Sequence, residues 1–160
     1  MVEWARDTPW RQGHLLPADA TTALGVASAE QRSDMVAVLV SHDCDLAQSP
    51  DIEPDVEIIM GRRLTAIDGN YSHAKNARRL HLPFSAGKER LAAELLANGK
   101  RRIAKSDLAA FTPLLSIQLD PNERAILQRW LAARYRRPAF PDELTDGSAR
   151  LVFGIASTRY

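Results

Sequence analysis

Six apolar residues in a row, Met35 to Val40, run directly into Ser41-His42-Asp43-Cys44-Asp45. The run is short and rich in valine, which favours a buried strand over a helix. A buried strand needs neighbours, so this segment commits the chain to a sheet. Two further segments supply them. Val56–Leu64, "VEIIMGRRL", reads as a strand ended or bulged at Gly61. Arg78–Phe84, "RRLHLPF", alternates, with Leu80, Leu82 and Phe84 on one face and Arg79, His81 and Pro83 on the other.

Between and around these lie weaker signals. "RQGHLLPADA" reads as a short strand entering a loop, and residues 20–34 as a loop or weak helix. "LAQSPDIEPD" is a proline-rich acidic loop, and Asp68-Gly69-Asn70 signals a turn. Residues 89–105 are ambiguous. Their Ala, Leu, Glu and Lys content favours helix, whereas Asn98-Gly99 favours a hairpin turn. The expectation is a helix or extended arm to Ala97, a turn, and a strand from Arg101 to Lys105. "TPLLSIQL" reads as a strand or linker. The firmest helix is "DPNERAILQRWLAARYRR", with Asp120 as N-cap, Pro121 at the first position and Glu123 completing a capping box. Ile126, Leu127, Trp130 and Leu131 form its apolar stripe, and Pro138 ends it. Beyond it, a second helix is expected from Pro141 and a strand over Leu151–Ile155. The class is α+β: one domain, with a small β-barrel or curved antiparallel sheet over residues ~12–117 and a helical part over 119–160.

The 160 residues are 45% apolar and 26% charged, as expected of a globular domain rather than a disordered chain. The single cysteine excludes an internal disulfide and a CxxC zinc site. No signal-like segment opens the chain and no apolar run approaches the ~20 residues of a membrane helix, so a soluble, cytoplasmic protein is expected. The net charge of +1 hides a division. From Asp34 to Glu57 there are seven acids and no Lys or Arg; from Lys75 to Arg137 there are 14 bases against five acids. Either the two segments pair within the fold or across an oligomer, or the basic one meets an anionic partner.

The polar end of the opening strand holds the candidate chemistry. In an extended chain, His42 and Cys44 share one face, and Ser41, Asp43 and Asp45 share the other. That separates the members of a Ser-His-Asp triad. It allows a Cys44 thiolate beside His42, with Asp45 as a further catalytic candidate. It also allows His42 and Cys44 to hold a divalent metal, with a third ligand from His73, His81 or a carboxylate. The competing reading is a structural cysteine and a histidine that hydrogen-bonds a loop. Asp51, Glu53, Asp55 and Glu57 would line one face of an extended segment and could bind Mg²⁺ or Mn²⁺. Pro50 and Pro54 favour a solvated loop instead, and no lysine follows Glu57 as a nuclease motif would require. Basic clusters at Lys75, Asn76, Arg78 and Arg79, and at Lys100, Arg101, Arg102 and Lys105, suit a phosphate-binding surface, with Tyr71 nearby.

"VLVSHDCDLAQ", followed by an acidic loop, "KNARRLHLPF" and "WLAARYRRPAFPDEL", resembles a group of uncharacterised bacterial proteins with a Ser-His/Gln-x-Cys-Asp motif. That resemblance brings no activity. The layout "QGHLL…MVAVLVSHD…VEIIMG" is similar to the SH3-like barrel of PemK/MazF-type toxins, which cleave RNA. His14 stands where those toxins have an aspartate, and no Arg-Pro precedes Met35, so the similarity implies the barrel without the ribonuclease residues. The leading expectation is a protein that binds nucleic acid or another polyanion in a bacterial toxin or phage-defence setting. The alternatives are a Cys/His-dependent hydrolase or metal-dependent nuclease at His42 and Cys44, and an interaction subunit that binds a protein partner or a second copy of itself.

Overall fold

The computed structural model describes residues 3–28, 30 and 33–133. The helix expected from Pro141 and the strand over Leu151–Ile155 lie outside the described residues. Four strands form one antiparallel sheet: β1 (Met35–Leu39), β2 (Asp55–Leu64), β3 (Arg79–Ala86) and β4 (Glu89–Ala104), in spatial order β1-β2-β4-β3. The helices are α1 (Ala18–Ala23), α2 (Asp43–Leu46), α3 (Lys105–Leu108) and α4 (Pro121–Ala133). The layout is α+β, but the sheet is open, with β1 and β3 at its edges. The expected barrel is therefore not formed by the described strands.

Both faces of the sheet are covered, which is why the strands read as apolar runs. On one face Ala37, Leu39, Ile58, Met60 and Ile103 pack with Trp4, Trp10, Leu16, Leu46 and Leu108. On the other, Val36, Val38, Ile59, Leu80, Leu82, Phe84 and Leu95 pack with Leu127 and Trp130 of α4. The neighbours alternate between faces as the pleat requires. Burial of a side chain such as Leu127 contributes roughly 1.5–3 kcal/mol. Asp120 caps α4 as expected: its Oδ1 accepts from the Glu123 N–H at 2.9 Å. The edge strands are partly closed. Leu15 bridges Val38 beside β1, and Gln118 bridges Ser85 beside β3.

Residues 89–104 form one long strand: the extended arm to Ala97 and the strand from Arg101 are found, but neither a helix nor a hairpin turn at Asn98-Gly99 is. Ile59 faces Lys100, yet Gly61 faces Leu95, so Leu96–Gly99 bulge out opposite Met60. Gly99 serves close approach: a Cβ there would lie 2.7 Å from the Met60 carbonyl oxygen. A strand lying between two others gains ladder hydrogen bonds and packing that outweigh the helical preference of its Ala, Leu and Glu residues. The bulge also sets which side chains share a face. It keeps Glu94 on the face opposite to Lys100 and Arg102, although all three have even numbers.

Candidate anion-binding site

The stretch after β1 is not extended. Ser41 ends the strand pairing, and its Oγ accepts from the Glu57 N–H at 2.7 Å. His42 is the N-cap of α2, and its Nδ1 accepts from the Cys44 N–H at 3.2 Å. In the neutral ring the proton then sits on Nε2. The acids Asp43 and Asp45 stand in the first turn of α2, where the exposed N–H groups favour negative charge. Asp43 accepts from the Gln12 N–H at 2.8 Å. The alternation of faces expected for Ser41–Asp45 is thus replaced by a helical turn. Cys44 is exposed, and its thiol has no hydrogen bond to His42 among the described residues.

His42 and Asp45 instead line a cleft of about 570 Å³ at the end of the sheet, together with Glu53, Asp55, Glu57, Lys100, Arg102 and residues of α4. Here the acidic and basic segments of the sequence meet. Lys100 Nζ lies 2.6 Å from Glu57 Oε2, and Arg102 stands directly opposite Glu57 in the ladder. Among the described residues, no three His, Cys, Asp or Glu side chains are grouped so as to hold a metal ion.

The eight residues expected to form one basic surface are dispersed. Lys105 is fully buried, and its ammonium donates to the carbonyl oxygens of Asp45 at 2.6 Å and Gln48 at 2.9 Å, closing the C-terminal end of α2. Burial pushes its pKa down, against the opposing influence of Glu53 and Asp45. Arg101 stands opposite Ile58, on the other face from Lys100 and Arg102. Lys75, Asn76, Arg78 and Arg79 stay together on the segment 68–79. Asn76 shapes that segment: its Oδ1 accepts from the N–H groups of Arg78 at 2.9 Å and Arg79 at 3.1 Å. Trp130 Nε1–H donates to the Asn76 carbonyl oxygen at 2.8 Å, tying the segment to α4. His73 and Ala74 hold left-handed conformations, φ 55° and 59°. For Ala74 that costs about 1–2 kcal/mol, so surrounding contacts must hold the turn in place.

This segment and the bulge of β4 enclose a second cleft, of about 660 Å³, lined by Tyr71, Asn76, Ala77, Arg78, Arg79, Leu96, Ala97 and Asn98. No carboxylate lines it among the described residues. The Arg79 guanidinium lies over the Tyr71 ring at 4.7 Å, and the Tyr71 and His81 rings are 5.0 Å apart. Beneath sits Glu94, whose side chain is only 5% exposed. It takes Arg62 Nε on one oxygen at 2.8 Å, and Arg79 at 3.2 Å and His81 Nε2 at 3.0 Å on the other. His81 Nδ1 accepts from the Asp68 N–H at 3.1 Å, so Nε2 carries the proton donated to Glu94. Burial pushes the Glu94 carboxyl up, but hydrogen bonds from His81 and Arg62 and the charges of Arg62 and Arg79 pull it below the ordinary range.

Tyr71, expected beside the basic cluster, lines the cleft, whereas Asn98, Arg62 and Glu94 are not among the site residues expected from sequence. The alternation of β3 places Arg79 and His81 on one face, but their partners depend on strand order. Among the described residues no helix is long and apolar enough to cross a membrane. Compared with known protein families, curated proteins and solved structures, the chain matches none.

Proposed function

We propose that this protein binds a phosphodiester polyanion, with single-stranded nucleic acid the best fit, in the cleft between segment 68–79 and the bulge of β4. The observation that carries this reading is the lining of that cleft: two guanidiniums, a tyrosine and two carboxamides, with no carboxylate among the described residues. Arginine forks suit phosphate oxygens, and an arginine plane backed by an aromatic ring suits an unstacked base. The concave, local shape favours a flexible strand over a rigid duplex. The cleft at His42, by contrast, is itself lined by the carboxylates of Asp45, Glu53, Asp55 and Glu57.

The test is fluorescence anisotropy with single- and double-stranded oligonucleotides over a salt series. Lys75, Arg78 and Arg79 set a slope of log K against log salt of about −2 or steeper. Affinity for the single strand should then fall roughly eighteenfold between about 50 and 200 mM salt. Charge reversal at Arg78 and Arg79 together should weaken binding at least about tenfold at low salt. Absence of binding at low salt, or indifference to that reversal, refutes the proposal.

A further inference from the structure

Arg62, Glu94 and His81 stand directly opposite one another on β2, β4 and β3, and form a row across three strands. Arg79 lies two residues before His81, on the same face of β3. One nearly buried carboxylate therefore anchors two arginines whose side chains remain 62% and 41% exposed. Arg62 gives Glu94 its Nε–H, which leaves its terminal N–H groups without a partner among the described residues. Arg79 gives one terminal nitrogen and rests on Tyr71. Two guanidiniums on one carboxylate leave a net positive charge on side chains that stay partly exposed. The Asp68 N–H on Nδ1 favours the His81 orientation that presents Nε2 to Glu94.

From this arrangement, and resting on the binding reading above, we infer that Arg62 and Arg79 together form a phosphate clamp with Glu94 as its positioning residue. The ligand class is a phosphate group with at least two free oxygens, as in a phosphodiester backbone or a terminal phosphate. The site thus extends from the cleft onto the face of β2, to a residue outside the basic segments. Glu94 touches no ligand. It holds the two forks in register, as a carboxylate commonly orients a binding arginine.

Two comparisons test this with the same oligonucleotides, each variant being checked by its thermal melt. Arg62 and Arg63 are neighbours of equal charge, but Arg63 faces Ala93 on the opposite side of the sheet. Arg62→Ala should weaken binding about eightfold near 50 mM salt and flatten the salt slope by about 0.7, whereas Arg63→Ala should change it less than about twofold. Arg62→Lys keeps the charge and the fold but loses the fork, and should recover only part of the affinity. Glu94→Gln removes a negative charge near the ligand. If Glu94 were merely a nearby anion, binding would tighten; as a positioning residue its loss should weaken binding severalfold. Equal effects of the Arg62→Ala and Arg63→Ala substitutions, or unchanged or tighter binding by the Glu94→Gln protein, overturn the clamp while leaving the cleft reading intact. Wild-type protein that binds no oligonucleotide overturns both.

Discussion

Replacing Lys105 by methionine isolates the chemistry of one buried ammonium. Methionine keeps most of the unbranched stem and removes only the charge and its hydrogen bonds. In the native protein that ammonium donates to the Asp45 and Gln48 carbonyl oxygens, with the Trp4 ring 5.6 Å away. Two opposing effects follow from the exchange. Removing a buried cation relieves a desolvation penalty, and apolar replacement of buried charges is often neutral or stabilising. That outcome depends on replacing both partners. Here the Gln48 carbonyl oxygen remains and loses its donor, at about 1–3 kcal/mol, whereas the Asp45 carbonyl oxygen keeps the Gln48 N–H at 3.2 Å. From that loss, and a smaller one at Asp45, the relieved desolvation is subtracted. A net destabilisation of about 1–2 kcal/mol is expected. Urea unfolding followed by circular dichroism measures it as a lower midpoint at an unchanged slope. A loss below about 0.5 kcal/mol, or a gain, refutes the claim that carbonyl satisfaction dominates at this site.

The Glu94 network carries a pH signature. Its native pKa is lowered, so its carboxylate stabilises the fold above the ordinary glutamate value of 4.5 and loses that contribution as pH falls through the lower native value. The stability gap between wild type and the Glu94→Gln protein should therefore be largest above pH 4.5 and shrink at lower pH, as read from urea midpoints in a pH series; a gap that widens on acidification contradicts the sign. Gly61→Ala should destabilise by about 1–3 kcal/mol, because a Cβ there meets the Glu94 carbonyl oxygen and lies 2.7 Å from Leu95 Cδ2. An unchanged melting temperature for that variant would show that the bulge relaxes freely.

Several elements are legible in local pattern alone. The run Met35–Val40, the alternation of Leu80, Leu82 and Phe84, and the cap at Asp120 each depend on neighbouring residues, and each appears where expected. The irregularity at Gly61 is legible too, because a glycine within a strand often marks close backbone approach. Residues 89–104 are legible only in part, since helix and extended arm stand as equal alternatives up to Ala97. Their composition suits a helix, and only pairing with β2 and β3 on either side makes them a strand. His42 and Cys44 mislead for the opposite reason. They follow a strand, but the strand ends at Leu39, and a short helix begins where continued extension is the natural expectation.

The amino-acid sequence by itself determined that β1, β2 and β3 are strands with a buried face, where the last described helix begins, and that acids and bases are segregated along the chain. Those properties arise from side-chain periodicity and capping within a few residues. Only the tertiary structure decided which charges act together. Lys105 went inside to close a helix, Lys100 paired with Glu57, and Arg62 was brought to Arg79 across a buried Glu94. The physical reason is register: a bulge with three extra residues and the strand order set which side chains share a face, and no local signal encodes the partner of a strand.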